Sequence, residues 1–270
     1  MTKSLTEIKD SLDNICDKEV KEAKKYGIEF GTFSQHKLEG STVKCIVTSP
    51  YMNLKLVHYM KENNASLAIT LIPLSITKTT FPLSEIDFEL LKALIINNVK
   101  TMLLPNEWIY ALQGSFAYFL QTLGLSSSST SEVSGVLNTP LITWTIESIS
   151  LDDFLTNLGH LNKRWLSHSF ASDSSSLSFV LEKEDFSDKQ LQQLQKEGVN
   201  TIVSFKIDSR KIPLYQKHKL NFIYIPFLDY CNIALRKFAQ VLQLEIGEKV
   251  LFYPSESKDW LGYSDFHVKV

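Results

Sequence analysis

The sequence is short of glycine. Ten glycines in 270 residues is about half the usual share, which argues against the glycine-rich phosphate loops of nucleotide enzymes. No P-loop, GxGxxG, GxSxG or HExxH phrase occurs, so the kinase, dehydrogenase, serine hydrolase and zincin readings have no foothold. Three cysteines, Cys16, Cys45 and Cys231, are far apart, odd in number and without CxxC spacing. That excludes a disulfide framework and a zinc finger and reads as buried, reduced thiols. Neither sign of charge is in excess: 28 basic against 30 acidic residues leave a net charge of -2, without the basic footprint of a nucleic-acid binder or a membrane-surface binder. No run approaches the roughly 18 apolar residues of a membrane span, and the amphipathic start MTKSLTEIKD does not read as the apolar core of a signal peptide. A cytoplasmic or nuclear protein is expected.

What is present is enough apolar side chain for a full core: 44% of residues are hydrophobic and 21% charged, outside the range of disordered chains. The pattern alternates strands and helices. Leu5 to Lys25 has helical spacing, and Thr42 to Thr48 is a β-branched run stopped at Ser49-Pro50. A helix over Asn53 to Asn63, a strand over Ser66 to Ile72, a helix over Ser84 to Asn97 opening on a Ser84–Asp87 capping box, a strand over Lys100 to Leu104 and a helix over Gly114 to Leu123 follow. The second half repeats this grammar with strands at Leu177–Leu181, Asn200–Phe205 and Asn221–Ile225 and helices at Ser187–Glu197, Ser209–Lys219 and Tyr230–Leu242. The expectation is an α/β fold of two similar lobes, residues 1–125 and 177–270, joined by a serine-rich linker and connecting segment over 126–176. The tracts Ser126–Ser134 and Ser172–Ser176 are expected to be solvated and mobile. Ligands of such sheets bind outside the carboxyl ends of the strands, near Leu71-Ile72, Leu104 to Trp108, Phe205 and Pro226 to Cys231. None of the six histidines falls there, and the acidic run Glu184, Asp185, Asp188 reads as a solvated helix start.

Several phrases resemble the NIF-three-like family, also called GTP cyclohydrolase I type 2 homologues: Tyr26-Gly27-Ile28-Glu29-Phe30-Gly31, Leu67 through Pro73-Leu74, Leu90 to Leu104, Gly114 through Leu123-Gly124-Leu125, and Asn221 to Ala239. The resemblance covers nearly the whole chain. It implies two α/β lobes without the extra domain of longer members. It also implies a two-metal site held by a His-His-Pro phrase at a strand end, an aspartate after the third strand, and a Gly-His-x-x-x-Glu phrase.

The sequence departs from that pattern at every ligand position. Leu71-Ile72 precede Pro73 where the histidine pair would stand. Trp108 takes the place of the aspartate, Leu104 that of an accompanying histidine, and Phe227 and Cys231 those of the last phrase. Leucine, isoleucine, tryptophan and phenylalanine offer none of the nitrogen, oxygen or thiolate donors that divalent metals need. Leu71, Ile72, Trp108 and Phe227 are therefore expected to be buried core in a filled site, with no metal, cofactor or catalytic residue. The polar neighbours allow two other roles: a replacement metal site from Glu107, Asp229 and Cys231, and a Cys231 nucleophile with its pKa lowered at a helix N-terminus. The leading functional expectation is a non-catalytic scaffold or protein-interaction subunit that pairs with another protein and, as the resemblance implies, with itself, as a dimer in preference to a hexamer. The alternative is a metal-dependent hydrolase of nucleotides or phosphorylated small molecules, and a further one a small-molecule binder with an apolar pocket near Trp108 and Phe227.

Overall fold

The computed structural model describes residues 3–17, 20, 22–23, 27–31, 42–74, 85–137, 141–162, 164–171 and 175–256. They form two compact units. The first comprises the chain through Ser115 together with the stretch that begins at Ala234, and the second runs from Phe116 to Ile233.

The first unit is built on five strands. β4 (Cys45–Ser49), β5 (Leu67–Thr70) and β6 (Lys100–Leu103) run parallel, linked by helices α2 (Leu54–Glu62) and α3 (Glu85–Ile96). β2 (Gly27–Phe30) lies antiparallel beside β6, and β13 (Lys249–Phe252) parallel beside β4. Two short strands, β1 (Lys3–Ser4) and β3 (Thr42–Val43), pair apart from this sheet. Helix α1 (Leu5–Ile15) opens with the Ser4–Glu7 capping box and buries Leu5, Ile8 and Leu12. Asn53 caps α2, accepting the Leu56 N–H at 2.7 Å. The core gathers Cys45 and Val47 of β4, Ala68 of β5, Leu56, Val57 and Met60 of α2, and Leu90 and Leu94 of α3.

The second unit repeats the parallel trio. β10 (Ser176–Leu181), β11 (Thr201–Ser204) and β12 (Asn221–Tyr224) are linked by α7 (Asp188–Lys196) and α8 (Ile212–Lys217). β9 (Leu166–His168) lies antiparallel beside β12, as β2 does beside β6. On the other side come β8 (Leu141–Glu147) and then β7 (Ser129–Val133), both antiparallel. The remaining helices are α4 (Glu107–Tyr110), α5 (Ser115–Thr122), α6 (Leu151–Leu161) and α9 (Phe227–Ile246).

The expected repeat has an atomic basis in the four helix-to-strand turns. Asn64, Asn98, Gly198 and Lys219 all have positive φ, at 53°, 50°, 84° and 51°. The next N–H in each case returns to a carbonyl of the last helical turn: Ala65 to Met60, Val99 to Leu94, Val199 to Leu194 and Leu220 to Tyr215, at 2.8–3.1 Å. This left-handed stop ends a helix and turns the chain straight into a buried strand.

Three expectations are corrected. Residues 126–176 are not a linker: they supply β7, β8, α6 and β9 to the second unit. The tract Ser126–Ser134 contains β7, ordered because its backbone pairs with β8, because Thr130 and Val133 suit a pleated ladder and because the buried Val133 anchors one end; Ser131 and Thr143 hydroxyls meet across the ladder at 2.7 Å. The lobe boundaries also shift, since the stretch from Ala234 and strand β13 belong to the first unit. Pairing between Lys249–Phe252 and Cys45–Thr48 joins segments about 200 residues apart, which no local pattern announces. Ser84 of the expected capping box and Ser172–Ser174 lie outside the described residues. Among the described residues no helix is long and apolar enough to cross a membrane.

Candidate functional site

In each unit the carboxyl ends of the parallel strands are the place to look. In the first unit β5 runs into Leu71 and Ile72, whose N–H groups both donate to the Pro50 carbonyl, at 3.2 and 3.0 Å. The next amide, Leu74 N–H, donates to Glu29 Oε1 at 2.7 Å, so a carboxylate from β2 pins the turn. Both Leu71 and Ile72 are buried, as is Leu104 after β6. Trp108, in α4, is wholly buried (0% exposed), with its ring edge-on to Phe238 at 5.1 Å. The turn that follows is so tight that a Cβ on Gly114 would lie 2.0 Å from the Trp108 carbonyl oxygen. Only glycine closes it.

In the second unit Phe227 opens α9 and is half-buried rather than buried. Its ring meets Phe205 at 5.3 Å, and Phe205 meets Tyr230 at 4.6 Å. A first-turn helix position leaves one side of the ring uncovered, so the burial expected of all four substituted positions holds for Leu71, Ile72 and Trp108 and is corrected for Phe227. Cys231 is wholly buried, and burial pushes its thiol pKa well above the ordinary value. That reverses the low-pKa nucleophile considered from its helix-start location: desolvation opposes the thiolate and outweighs the helix end.

Asp229 is also buried, but its carboxylate is already engaged. Arg164 donates to Oδ1, and Asn162 donates to Oδ2 at 3.3 Å. Beyond it, Tyr215 donates to the buried Glu182 Oε1 at 2.9 Å, with the phenol pKa raised by burial and then by Glu182. Neither pair was foreseen. Arg164 sits in the stretch read as a connector, and Glu182 follows a strand in a run of charges that reads as solvated. Glu107, the third member of the replacement metal set, is exposed.

Around the ends of β10 and β11 three carboxylates, Asp185 and Asp188 exposed and Asp208 half-buried, are held ionised. Hydrogen bonding from Lys206 lowers the Asp185 pKa, Lys217 lowers that of Asp188, and Arg210 lowers that of Asp208 from 3.8 to about 2. Folded values below the unfolded ones mean stabilisation present above the ordinary carboxylate value and lost as pH falls. The urea midpoint is therefore expected to drop between about pH 4 and about pH 2, less steeply in Asp208→Asn and less steeply in high salt. An unchanged profile in Asp208→Asn would show that the Arg210 pair does not act on folding.

The donor chemistry at these strand ends does not suit a metal centre. Of Leu71, Ile72, Trp108, Phe227 and Cys231 only the last has a ligating atom, and burial keeps it protonated. Among the described residues no group of three or more His, Cys, Asp or Glu side chains could hold a metal ion.

The architecture is that of the NIF3-related proteins of known structure. The reduced form of HcgD from Methanocaldococcus jannaschii is similar to this chain over 93% of it and 98% of its own length, with a TM-score of 0.70 and 13% identity. A Bacillus cereus protein related to NIF3 covers 94% of this chain and 97% of itself at a TM-score of 0.67 and 10% identity. The Staphylococcus aureus hypothetical protein SA1388 gives 94%, 97%, 0.70 and 12% for the same quantities. No family model and no curated protein matches the sequence itself. What is shared is the fold.

Proposed function

We propose that this chain is a divergent NIF3-like protein that has lost the two-metal chemistry and works by binding, as a scaffold or interaction subunit whose partners are proteins, a second copy of itself among them. One observation supports the reading above the rest. At the strand ends where the resemblance puts metal ligands, this chain carries hydrocarbon and aromatic side chains, four of them buried (Leu71, Ile72, Leu104 and Trp108), and a buried thiol. Carbon side chains packed into a core resist replacement by water or a substrate, because exposing them again costs about 25 cal/mol per Å².

Elemental analysis of the purified protein after dialysis tests this. Iron, zinc and manganese are expected well below one atom per chain. Retention at one or more atoms per chain would overturn the reading in favour of a metal-dependent hydrolase.

A further inference from the structure

We propose that the loop Lys206–Lys211 of the second unit is a docking point for an acidic stretch of a partner protein, with Lys206 and Lys211 as a two-cation seat for one of its carboxylates. The inference rests on the reading of the chain as an interaction subunit and names the chemistry of the partner. The seat lies outside the carboxyl ends of β10 and β11, where α/β sheets bind their ligands. Lys206 follows β11 and Lys211 closes the turn Ser209–Lys211, yet both ammonium groups come to one oxygen, Asp185 Oδ1, at 2.8 and 3.2 Å. Two like charges so close repel each other unless an anion lies between them. Here the chain supplies that anion itself, from the loop after β10.

The loop that carries the lysines is held in place. Lys206 N–H donates to Ser204 Oγ at 3.2 Å, and the same hydroxyl donates to the Lys206 carbonyl at 3.0 Å. Asp208 caps the following turn by accepting the Arg210 N–H at 3.0 Å, and the Lys211 side chain is only 19% exposed. Asp185 is the loose member. Its side chain is 56% exposed, and ion pairs so exposed contribute little, so a carboxylate from outside takes its place at small cost. The surroundings suit a protein better than a lone ion. Ile207, exposed next to Lys206, offers an apolar contact, and Arg210, exposed and within electrostatic reach of Asp185, adds a cation of the kind enriched at interfaces. Three cations, Lys206, Arg210 and Lys211, thus share two carboxylates, Asp185 and Asp208.

Fluorescence anisotropy of a labelled hexaglutamate peptide, titrated with the full-length chain at low salt, tests the seat. The wild type is expected to bind the peptide and to lose affinity as salt rises. Asp185→Asn, which removes the chain's own anion from the seat, is expected to tighten binding by about threefold, a gain that damage to the fold could not produce. Lys206→Gln combined with Lys211→Gln should weaken binding at least about tenfold. Lys61→Gln combined with Lys249→Gln, which makes the same change of net charge in the first unit, should leave it within about twofold of the wild type. A wild type that does not bind the peptide overturns the proposal, as does a loss shared equally by the two double variants or an Asp185→Asn protein that binds no more tightly. Elemental analysis reads the metal question separately, so neither failure can be mistaken for the other.

Discussion

Trp108→Ala is expected to cost about 3–5 kcal/mol of folding stability, the range for removing a buried aromatic from a core. The indole is 0% exposed, lies at a strand-end turn and meets Phe238 edge-on at 5.1 Å. Removing it leaves a void beside Phe238 that a fixed backbone cannot collapse to fill. The backbone there is fixed by Leu104 N–H on the Thr70 carbonyl, by Trp108 N–H on the Pro105 carbonyl and by the Gly114 turn. Trp108→Phe, which keeps an aromatic ring in the same space, should cost appreciably less. Urea denaturation of the two variants checks this. A loss below about 1 kcal/mol in the alanine variant would mean that the strand end is soft, and the filled-site reading would lose its main physical support.

Arg164→Leu is expected to destabilise by about 3 kcal/mol, the low end of the range for stranding a buried charge. The Asp229 side chain is 8% exposed, whereas Arg164 is 59% exposed; the cation can be given up to water easily, but the anion cannot. Among the described residues Asn162 alone would remain on the carboxylate. Asp229→Asn in the Arg164→Leu background should recover most of the loss by removing the charge, so the double-mutant cycle has a large coupling term. If the two losses simply add, Arg164 acts by packing alone.

The parts that could be read in advance were those written in local chemistry. Helical periods ending directly before the short runs Ser66–Ile72, Lys100–Leu104, Asn200–Phe205 and Asn221–Ile225 marked the repeated strand-and-helix order, whereas the left-handed φ at 64, 98, 198 and 219 belongs to the structure. Leu71, Ile72 and Trp108 announced their burial by being large and carbon-only at strand ends. The serine tract misled because composition counts side-chain polarity, whereas β7 is held by backbone bonds to β8 and by one buried valine. Phe227 misled because residue type sets the preference for burial, but a first-turn helix position sets the coverage available.

By itself the sequence determined the fold class, the order of the main strands and helices, the absence of metal donors at Leu71, Ile72, Trp108 and Phe227, and the buried state of all three cysteines. Each follows from residue chemistry or from spacing within about a dozen positions. Only the tertiary structure decided that β13 completes the first sheet, that Arg164 neutralises Asp229 across 65 positions, that Tyr215 covers Glu182, and that Cys231 is too deeply desolvated to ionise readily. Those are meetings of groups distant in the chain, and pairwise proximity in space leaves no trace in a local pattern.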